Sequence, residues 1–408
     1  MRGRAEPRYL VYRPYLICGM GNRLSGFQGV LSLAMMTDRA LLVDWRGGVS
    51  SRSSTVSKYE DNFLEAHGVP HHIIPESLND YETLPGTEIW CQMPDATRMT
   101  TPCDPTRMTP EFLPEATWDT IYAAHASVVL VQAHNGNPMM FLRESREPSV
   151  LEALARMEDD FGPDTFRLCA LRFLFRAKPD FRQRYCAERS TVLDGKIPSV
   201  SLHIRTGDNP DYHPEWYKTL PQDVENFVAC AAGFDEALLA SYTDADFNLD
   251  LEGAETVWLL GTDSDTVINQ LKAGNHTVGH GGKVAFIEGG ENHRVHSGSK
   301  GGALSTNDGP LMDLAMLSES PFVVGSYHST FSMHVAELGG VPLPARLVIR
   351  TPFASMFGKR MSGDTLQSVH FEDYHQGCRD FVLDPKIREY VQLALKARKE
   401  PFIDCEGV

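Results

Sequence analysis

The chain has no apolar run approaching the roughly 20 residues that a membrane-spanning helix needs. Its opening, MRGRAEPRYLVYRP, holds no apolar stretch of the signal-peptide kind. Two readings follow: a cytosolic protein, or a catalytic fragment that reaches a membrane only through an anchor absent from this chain. Positive charge is also scarce. Lys and Arg number 38 against 54 Asp and Glu, a formal charge of −16, which excludes a general binder of nucleic acid or of anionic membrane surfaces. A local basic patch remains free to hold a phosphate. None of the eight cysteines forms a CxxC pair, and no Cys/His cluster has zinc-site spacing. An even count permits disulfides and buried free thiols alike. Cys91 and Cys103, flanking a proline- and threonine-bearing stretch, are the first pair to suspect. Internal repeats and low-complexity tracts are lacking too. The one N-x-[ST] sequon, Asn275-His276-Thr277, is about what chance supplies in a chain this long.

What is present is the composition of a soluble globular protein, 42% hydrophobic and 23% charged over 408 residues, long enough for two domains. Tyr15 to Trp45 reads as strand, glycine turn, helix and a second strand ending in Asp44. From Gly47 to about Pro114 polar, Pro- and Ser-bearing pieces suggest loops and short elements around a binding face. ASVVLVQA (126–133) predicts a strand, 150–187 carries helical spacing, and DGKIP (194–198) reads as a linker. A second α/β pattern then alternates strands at 199–205, 256–263, 283–288 and 321–326 with helices at 222–241, 264–273, 310–319 and 328–338. That alternation argues for a parallel sheet covered on both faces. Asp384 to Lys399 reads as a terminal amphipathic helix begun by Asp-Pro. The expectation is two Rossmann-like halves, hinged near residue 195, with a ligand cleft between them.

Four stretches carry candidate chemistry. In Gly19-Met20-Gly21-Asn22-Arg23-Leu24 a dinucleotide fingerprint wants a third small residue where Leu24 stands, with Gly26 two places late. Asp44 lies near the distance expected of a ribose-binding acid. Asn22 and Arg23 at the helix start suit an anion, Asn22 alternatively serving as the cap. LHIRTGD (202–208) delivers His203 and Arg205 on one strand face at its C-terminal end. A guanidinium there matches a diphosphate; a core histidine and a structural ion pair are the alternatives. In GTDSDTV (261–267) Asp263 is placed to meet a ribose or base edge, although helix capping explains Thr-Asp-Ser as well. In VVGSYHSTFSMHVAELGG (323–340) Ser329 and Thr330 open a helix, a neutral cradle for phosphate.

Taken together, GMGNRLSGFQGVLSLAMMTDRALLVDW, HIRTGD, TDSD and DLAMLSESPFVVGSYHSTFSMHVAELGG resemble, in order, the motifs of the fucosyltransferase superfamily. The likeness is to its plant cell-wall, α1,2-, α1,6- and peptide-O-fucosyltransferase branches. It covers under a quarter of the chain, and 46–195 matches nothing placed. The resemblance implies an α/β GT-B fold: an acceptor-side Rossmann-like domain over 1–195, a GDP-sugar-binding Rossmann-like domain over 196–350, and a C-terminal segment, 351–408, whose helix packs back on the first domain. It also implies inverting, metal-independent transfer of fucose from GDP-fucose to a hydroxyl of a glycan or glycoprotein, with no cofactor.

By the same resemblance Arg205 grips the β-phosphate and stabilises departing GDP, Ser329 and Thr330 hold phosphate oxygens, and His203 and Asp263 lie along the nucleoside. Gly21, Asn22 and Arg23 face the fucose and diphosphate from the other domain. The α1,6 enzymes carry a lysine after the motif's acid, where this chain has Asn209. The general-base candidates are Asp208, Asp211, Asp44 and Glu215, in that order. Asp263-Ser264-Asp265 spells a metal-binding DxD, but its place after a donor-domain strand suits nucleoside contact better. Eukaryotic relatives work in the Golgi or ER lumen and bacterial ones in the cytosol, so either compartment is implied. The competing readings are a GT-B transferase for another nucleotide sugar, an inactive sugar-nucleotide-binding relative, and an NAD enzyme.

Overall fold

A computed structural model of the chain describes residues 8–14, 20–43, 72–73, 87–92, 99–100, 115–116, 128–133, 148–161, 171, 177, 179–206, 219, 221–241, 255–273, 283–286, 308–326, 329–339, 346–349, 367–369, 374–385 and 403–407. Contacts divide the chain into two compact units, Met1–Arg176 and Ala177–Val408.

The first unit is built on a seven-stranded sheet. Its strands are β1 (Tyr9–Pro14), β2 (Ala40–Val43), β3 (His72–Ile73), β4 (Thr87–Gln92), β5 (Met99–Thr100), β6 (Glu115–Ala116) and β7 (Val128–Ala133), in the order β3-β2-β1-β7-β4-β5-β6. The first five in that order run parallel, and β5 and β6 extend the edge antiparallel. Helix α1 (Met20–Met36) crosses from β1 to β2, and α2 (Pro148–Phe161) follows β7.

The opening strand is therefore YLVYRP, earlier than the Tyr15 start read from sequence. Its Tyr and Val residues favour extended backbone, and Pro14, lacking an N–H, closes it. Helix α1 already runs at Met20, so Gly21 sits in its first turn. Asn22 is the third helical residue and not the cap. The close helix–strand approach falls to Gly26: a Cβ there would lie 2.6 Å from the Tyr12 hydroxyl.

The second unit holds a six-stranded, wholly parallel sheet. Helix α3 (Pro179–Leu193) leads into β8 (Ile197–Ile204). Then come α4 (Pro221–Ser241), β9 (Thr256–Thr262), α5 (Asp265–Ala273), β10 (Lys283–Phe286), α6 (Asp308–Leu317), β11 (Phe322–Ser326), α7 (Thr330–Leu338), β12 (Arg346–Ile349), β13 (Gln367–Val369) and α8 (Tyr374–Leu383). The spatial order β10-β9-β8-β11-β12-β13 is the doubly wound 3-2-1-4-5-6 pattern, in which the path reverses between β8 and β11. The central strands are buried along nearly their whole length. A strand covered on both faces needs a near-continuous apolar run: VWLL and FVV provide it, and in SVSLHI the buried Ser199 and Ser201 hydroxyls bond to the Val257 and Leu317 carbonyls.

DGKIP is not a linker. Asp194 and Gly195 take positive φ, 47° and 77°, and the Lys196 N–H bonds back to the Leu193 carbonyl at 2.8 Å. The result is a tight turn inside the second unit, with Ile197 already opening β8. Likewise β13, within 351–408, joins the second sheet through β12. The terminal helix read over 384–399 lies, from residue 386 on, outside the described residues.

Helix α8 packs on α4 so tightly that a Cβ on Gly233 would meet the His375 carbonyl oxygen at 2.3 Å, so only glycine fits. The Cys230–Cys378 disulfide and the Glu236–Arg379 ion pair (3.0 Å) clasp the same two helices. Phe234 of α4 stacks on Phe322 of β11 at 4.8 Å. A second disulfide, Cys186–Cys405, secures residues 403–407 to α3, where Arg182 also donates to the carbonyls of Asp404 and Glu406. Four cysteines are thus paired rather than free; Cys103, and with it the suspected Cys91–Cys103 bridge, lies outside the described residues. Tyr185 and Arg189 of α3 both donate to Glu319, just beyond α6, at 2.5–3.1 Å. Burial, reinforced by the Glu319 charge, holds the Tyr185 phenol well above its ordinary pKa.

Candidate functional site

In an open parallel sheet the chain leaves neighbouring strands to opposite sides wherever strand order reverses, and the C-terminal strand ends open a crevice there. In the second unit that point lies between β8 and β11, whose last ladder pair is His203 with Gly325. Three strand ends converge on it: His203, Arg205 and Thr206 from β8, Thr262 and Asp263 from β9, Ser326 from β11. The turn after β11 adds Ser329 and Thr330 at the start of α7.

Arg205 is the charged centre. Its Nε lies 3.1 Å from Asp263 Oδ2. The other carboxylate oxygen accepts from the Thr206 N–H at 2.9 Å and from the Thr206 hydroxyl at 3.1 Å. Asp263 thus fastens both the guanidinium and the backbone one residue on. The Arg205 peptide is held from the β11 side: its N–H donates to Ser326 Oγ at 2.8 Å, and its carbonyl accepts from the Thr219 hydroxyl at 2.7 Å.

His203 sits behind this arginine. Its Nδ1 lies 2.7 Å from Ser332 Oγ and 3.4 Å from Ser329 Oγ, and its ring stacks on Phe331 with centroids 4.7 Å apart. Burial first, and the Arg205 charge second, lower its pKa to about 4, so the ring is neutral near pH 7. An uncharged imidazole packs beside the guanidinium without repelling it. The arrangement requires Gly325, because a Cβ there would come within 2.5 Å of the Ser332 Cβ.

Ser329 is the N-cap of α7, extended at φ −87° and ψ 106°, its hydroxyl accepting from the Ser332 N–H at 3.5 Å. Thr330 is the first helical residue. The amide-rich end of a helix attracts anions, and this one meets β8 at His203, two residues before Arg205. On the β9 side Ser264 caps α5: it is buried, and its hydroxyl accepts from the Val267 N–H at 3.4 Å. The middle residue of the DSD run is thus committed to the helix start.

Five of the residues singled out from sequence, His203, Arg205, Asp263, Ser329 and Thr330, thus gather at one crevice of the second unit. Gly21, Asn22 and Arg23 belong to the first turn of α1 in the first unit, Gly21 buried there. Asp208 and Asp211, like Asp44 and Glu215, lie outside the described residues. Sequence reasoning missed Thr206, Thr219 and Ser332. Thr206 sits inside the HIRTGD run and Ser332 three residues past the cap, but nothing local marks Thr219.

No protein-family model matches this chain, and no curated protein matches it in sequence. Solved structures do. A mutant of FUT1 from Arabidopsis thaliana in complex with GDP aligns with a TM-score of 0.53 at 16% identity, over 89% of this chain and 74% of FUT1. Fucosyltransferase NodZ from Bradyrhizobium aligns at 0.42 and 14% identity, over 81% and 93%. POFUT1 in complex with GDP aligns at 0.38 and 14%, over 82% and 94%. The FUT1 match shows a shared fold, bearing out the two-domain, Rossmann-like α/β class of the GT-B kind expected from the sequence.

Proposed function

We propose that the chain is a GDP-fucose-dependent glycosyltransferase that inverts the anomeric centre and moves fucose to a hydroxyl of a glycan or glycoprotein acceptor, without a metal. The observation that carries this reading is the switch point of a doubly wound sheet, where Arg205, oriented by Asp263, ends β8 and its near neighbour His203 lies 3.4 Å from the hydroxyl that caps α7. A diphosphate is the ligand that such a crevice suits. The GDP bound to FUT1, whose fold the chain shares, supports guanosine as the nucleoside.

In fucosyl transfer positive charge develops on the sugar carbon and negative charge on the departing diphosphate. Fixed donors aimed at the diphosphate stabilise that charge as it appears. The Arg205 fork binds β-phosphate oxygens, and Ser329, Thr330 and the first amides of α7 hold the rest of the diphosphate. Neutral His203 lies along the nucleoside. Asp208, with Asp211 second, takes the acceptor proton. Two disulfides in the second unit favour an oxidising compartment, the Golgi or ER lumen of a eukaryote.

Calorimetry with GDP, UDP and NAD tests the donor: GDP binding alone is expected, and preference for UDP or NAD overturns the assignment. Transfer from GDP-fucose to a glycan panel, with and without EDTA, then tests the reaction and its metal independence.

A further inference from the structure

The ladder of the second sheet stops just short of the arginine on which the proposed reaction depends. Strand β8 makes its last pair with β11 at His203 and with β9 at Ile204. Arg205 is therefore the first residue past the ladder on both sides. Past the end of a ladder, the tilt of a half-buried peptide is set by the side chains that bond to it. Two hydroxyls bond to the N–H and carbonyl of Arg205.

Ser326 Oγ accepts from the Arg205 N–H at 2.8 Å and lies 3.3 Å from the His203 carbonyl. Thr219 Oγ donates to the Arg205 carbonyl at 2.7 Å and lies 3.4 Å from Ser326 Oγ. Each hydroxyl carries a single proton. The Thr219 proton is committed to the Arg205 carbonyl, so Thr219 meets Ser326 only as acceptor. Ser326 divides its own proton between that oxygen and the His203 carbonyl. Both side chains are buried, 8% and 4% exposed, so water does not readily substitute for them.

From this bracket we infer that Thr219 and Ser326 are positioning residues: they fix the peptide plane of Arg205, so that its guanidinium meets the diphosphate in the geometry of the transition state. The inference rests on the proposed function and deepens it. Asp263 grips the side chain while the two hydroxyls grip the backbone, so the arginine is held at both ends of its flexible stem. Ground-state attraction between guanidinium and diphosphate survives a tilt of the peptide. Charge stabilisation at the departing oxygen does not, because it depends on alignment.

The test compares wild type with Thr219→Val, Thr219→Ser and Ser326→Ala in three measurements: thermal unfolding, the Kd for GDP by calorimetry, and GDP release from GDP-fucose, which needs no acceptor. Valine keeps the shape of threonine without the hydroxyl; serine keeps the hydroxyl. Thr219→Val is expected to lower kcat at least tenfold while the GDP Kd stays within about threefold. Thr219→Ser is expected to recover most of the loss. Ser326→Ala should repeat the valine pattern, and it serves alone if Thr219→Val fails to fold. A folded Thr219→Val with wild-type kcat, or a serine variant no better than valine, overturns the inference while GDP binding by wild type leaves the proposed function standing. Failure of wild type to bind GDP at all overturns the function itself and the inference with it.

Discussion

Replacing Asp263 with asparagine separates two roles for that carboxylate, contact with the nucleoside and orientation of Arg205. The substitution keeps size and shape but turns one oxygen into a donor. One oxygen faces Arg205 Nε at 3.1 Å, and the other faces the Thr206 N–H and hydroxyl at 2.9 and 3.1 Å. Whichever way the amide turns, its NH2 confronts a group that also donates. A charge-assisted bond is lost, of a kind worth about 1.5–3 kcal/mol. The side chains of Arg205 and Asp263 are 22% and 14% exposed, so solvent screening removes little of that. If the loss appears in the transition state, turnover of Asp263→Asn falls about 10- to 100-fold. Removing a negative charge beside Arg205 should leave GDP binding unchanged or tighter, since the guanidinium no longer shares its field with a carboxylate. Steady-state release of GDP from GDP-fucose, with calorimetry on GDP, reads both quantities. Weakened GDP binding at wild-type turnover would refute the orienting role and return Asp263 to the nucleoside.

Arg205→Ala should stay folded and lose about 100- to 1,000-fold in kcat, the usual cost of removing one principal donor to a developing oxyanion; assays of transfer and circular dichroism check both halves. His203 titrates near 4 in the folded chain against an ordinary 6.5, so the unfolded state binds the proton first. The stability that its neutral form contributes is whole above pH 6.5 and falls by about 3 kcal/mol between pH 6.5 and 4; a shallower decline of Tm in His203→Gln checks it. Asp313 moves the opposite way: burial, and then the Glu188 charge, push it up to about 8, so its contribution is full below pH 4 and drains away as the pH rises toward 8. Asp313→Asn should therefore raise Tm at pH 8 more than at pH 5. Each disulfide closes a long loop, spanning 219 and 148 residues in sequence. Loop-closure entropy puts each at about 5 kcal/mol at most, so reduction should lower Tm by many degrees, and an unchanged Tm would contradict both pairings.

The parts of this molecule that could be read from the chain are those governed by local pattern. SVSLHIR, TVWLLGT and PFVVGS announce themselves as strands because a doubly covered strand is mostly apolar, with few polar residues and those bonded internally, as Ser201 is to the Leu317 carbonyl. The crevice residues were legible for the same reason, since they stand immediately after those runs. β13 was not: QSV is short and polar and is a strand only because β12 lies beside it. The opening strand was placed too late, because the apolar LIC before the glycines outweighed the YLVY that forms the strand. Thr219 left no local sign, since its role depends on the fold returning the chain to Arg205 after 14 residues. Cysteine pairing was equally hidden. Eight thiols allow many connectivities, and the partners found are those whose Cα atoms tertiary packing brings to 5.6 and 5.1 Å.

The two bridges are nested, with Cys230 and Cys378 lying between Cys186 and Cys405 along the chain. On a ribosome the inner pair is complete before the outer one. At about 5–20 residues per second, Cys186 waits on the order of 10–40 s for its mate to be made. For most of that interval Cys230, made 44 residues after Cys186, is an available wrong partner. Cys378 emerges 27 residues before Cys405, so closure of the inner clasp removes that competitor just before the right mate of Cys186 is made.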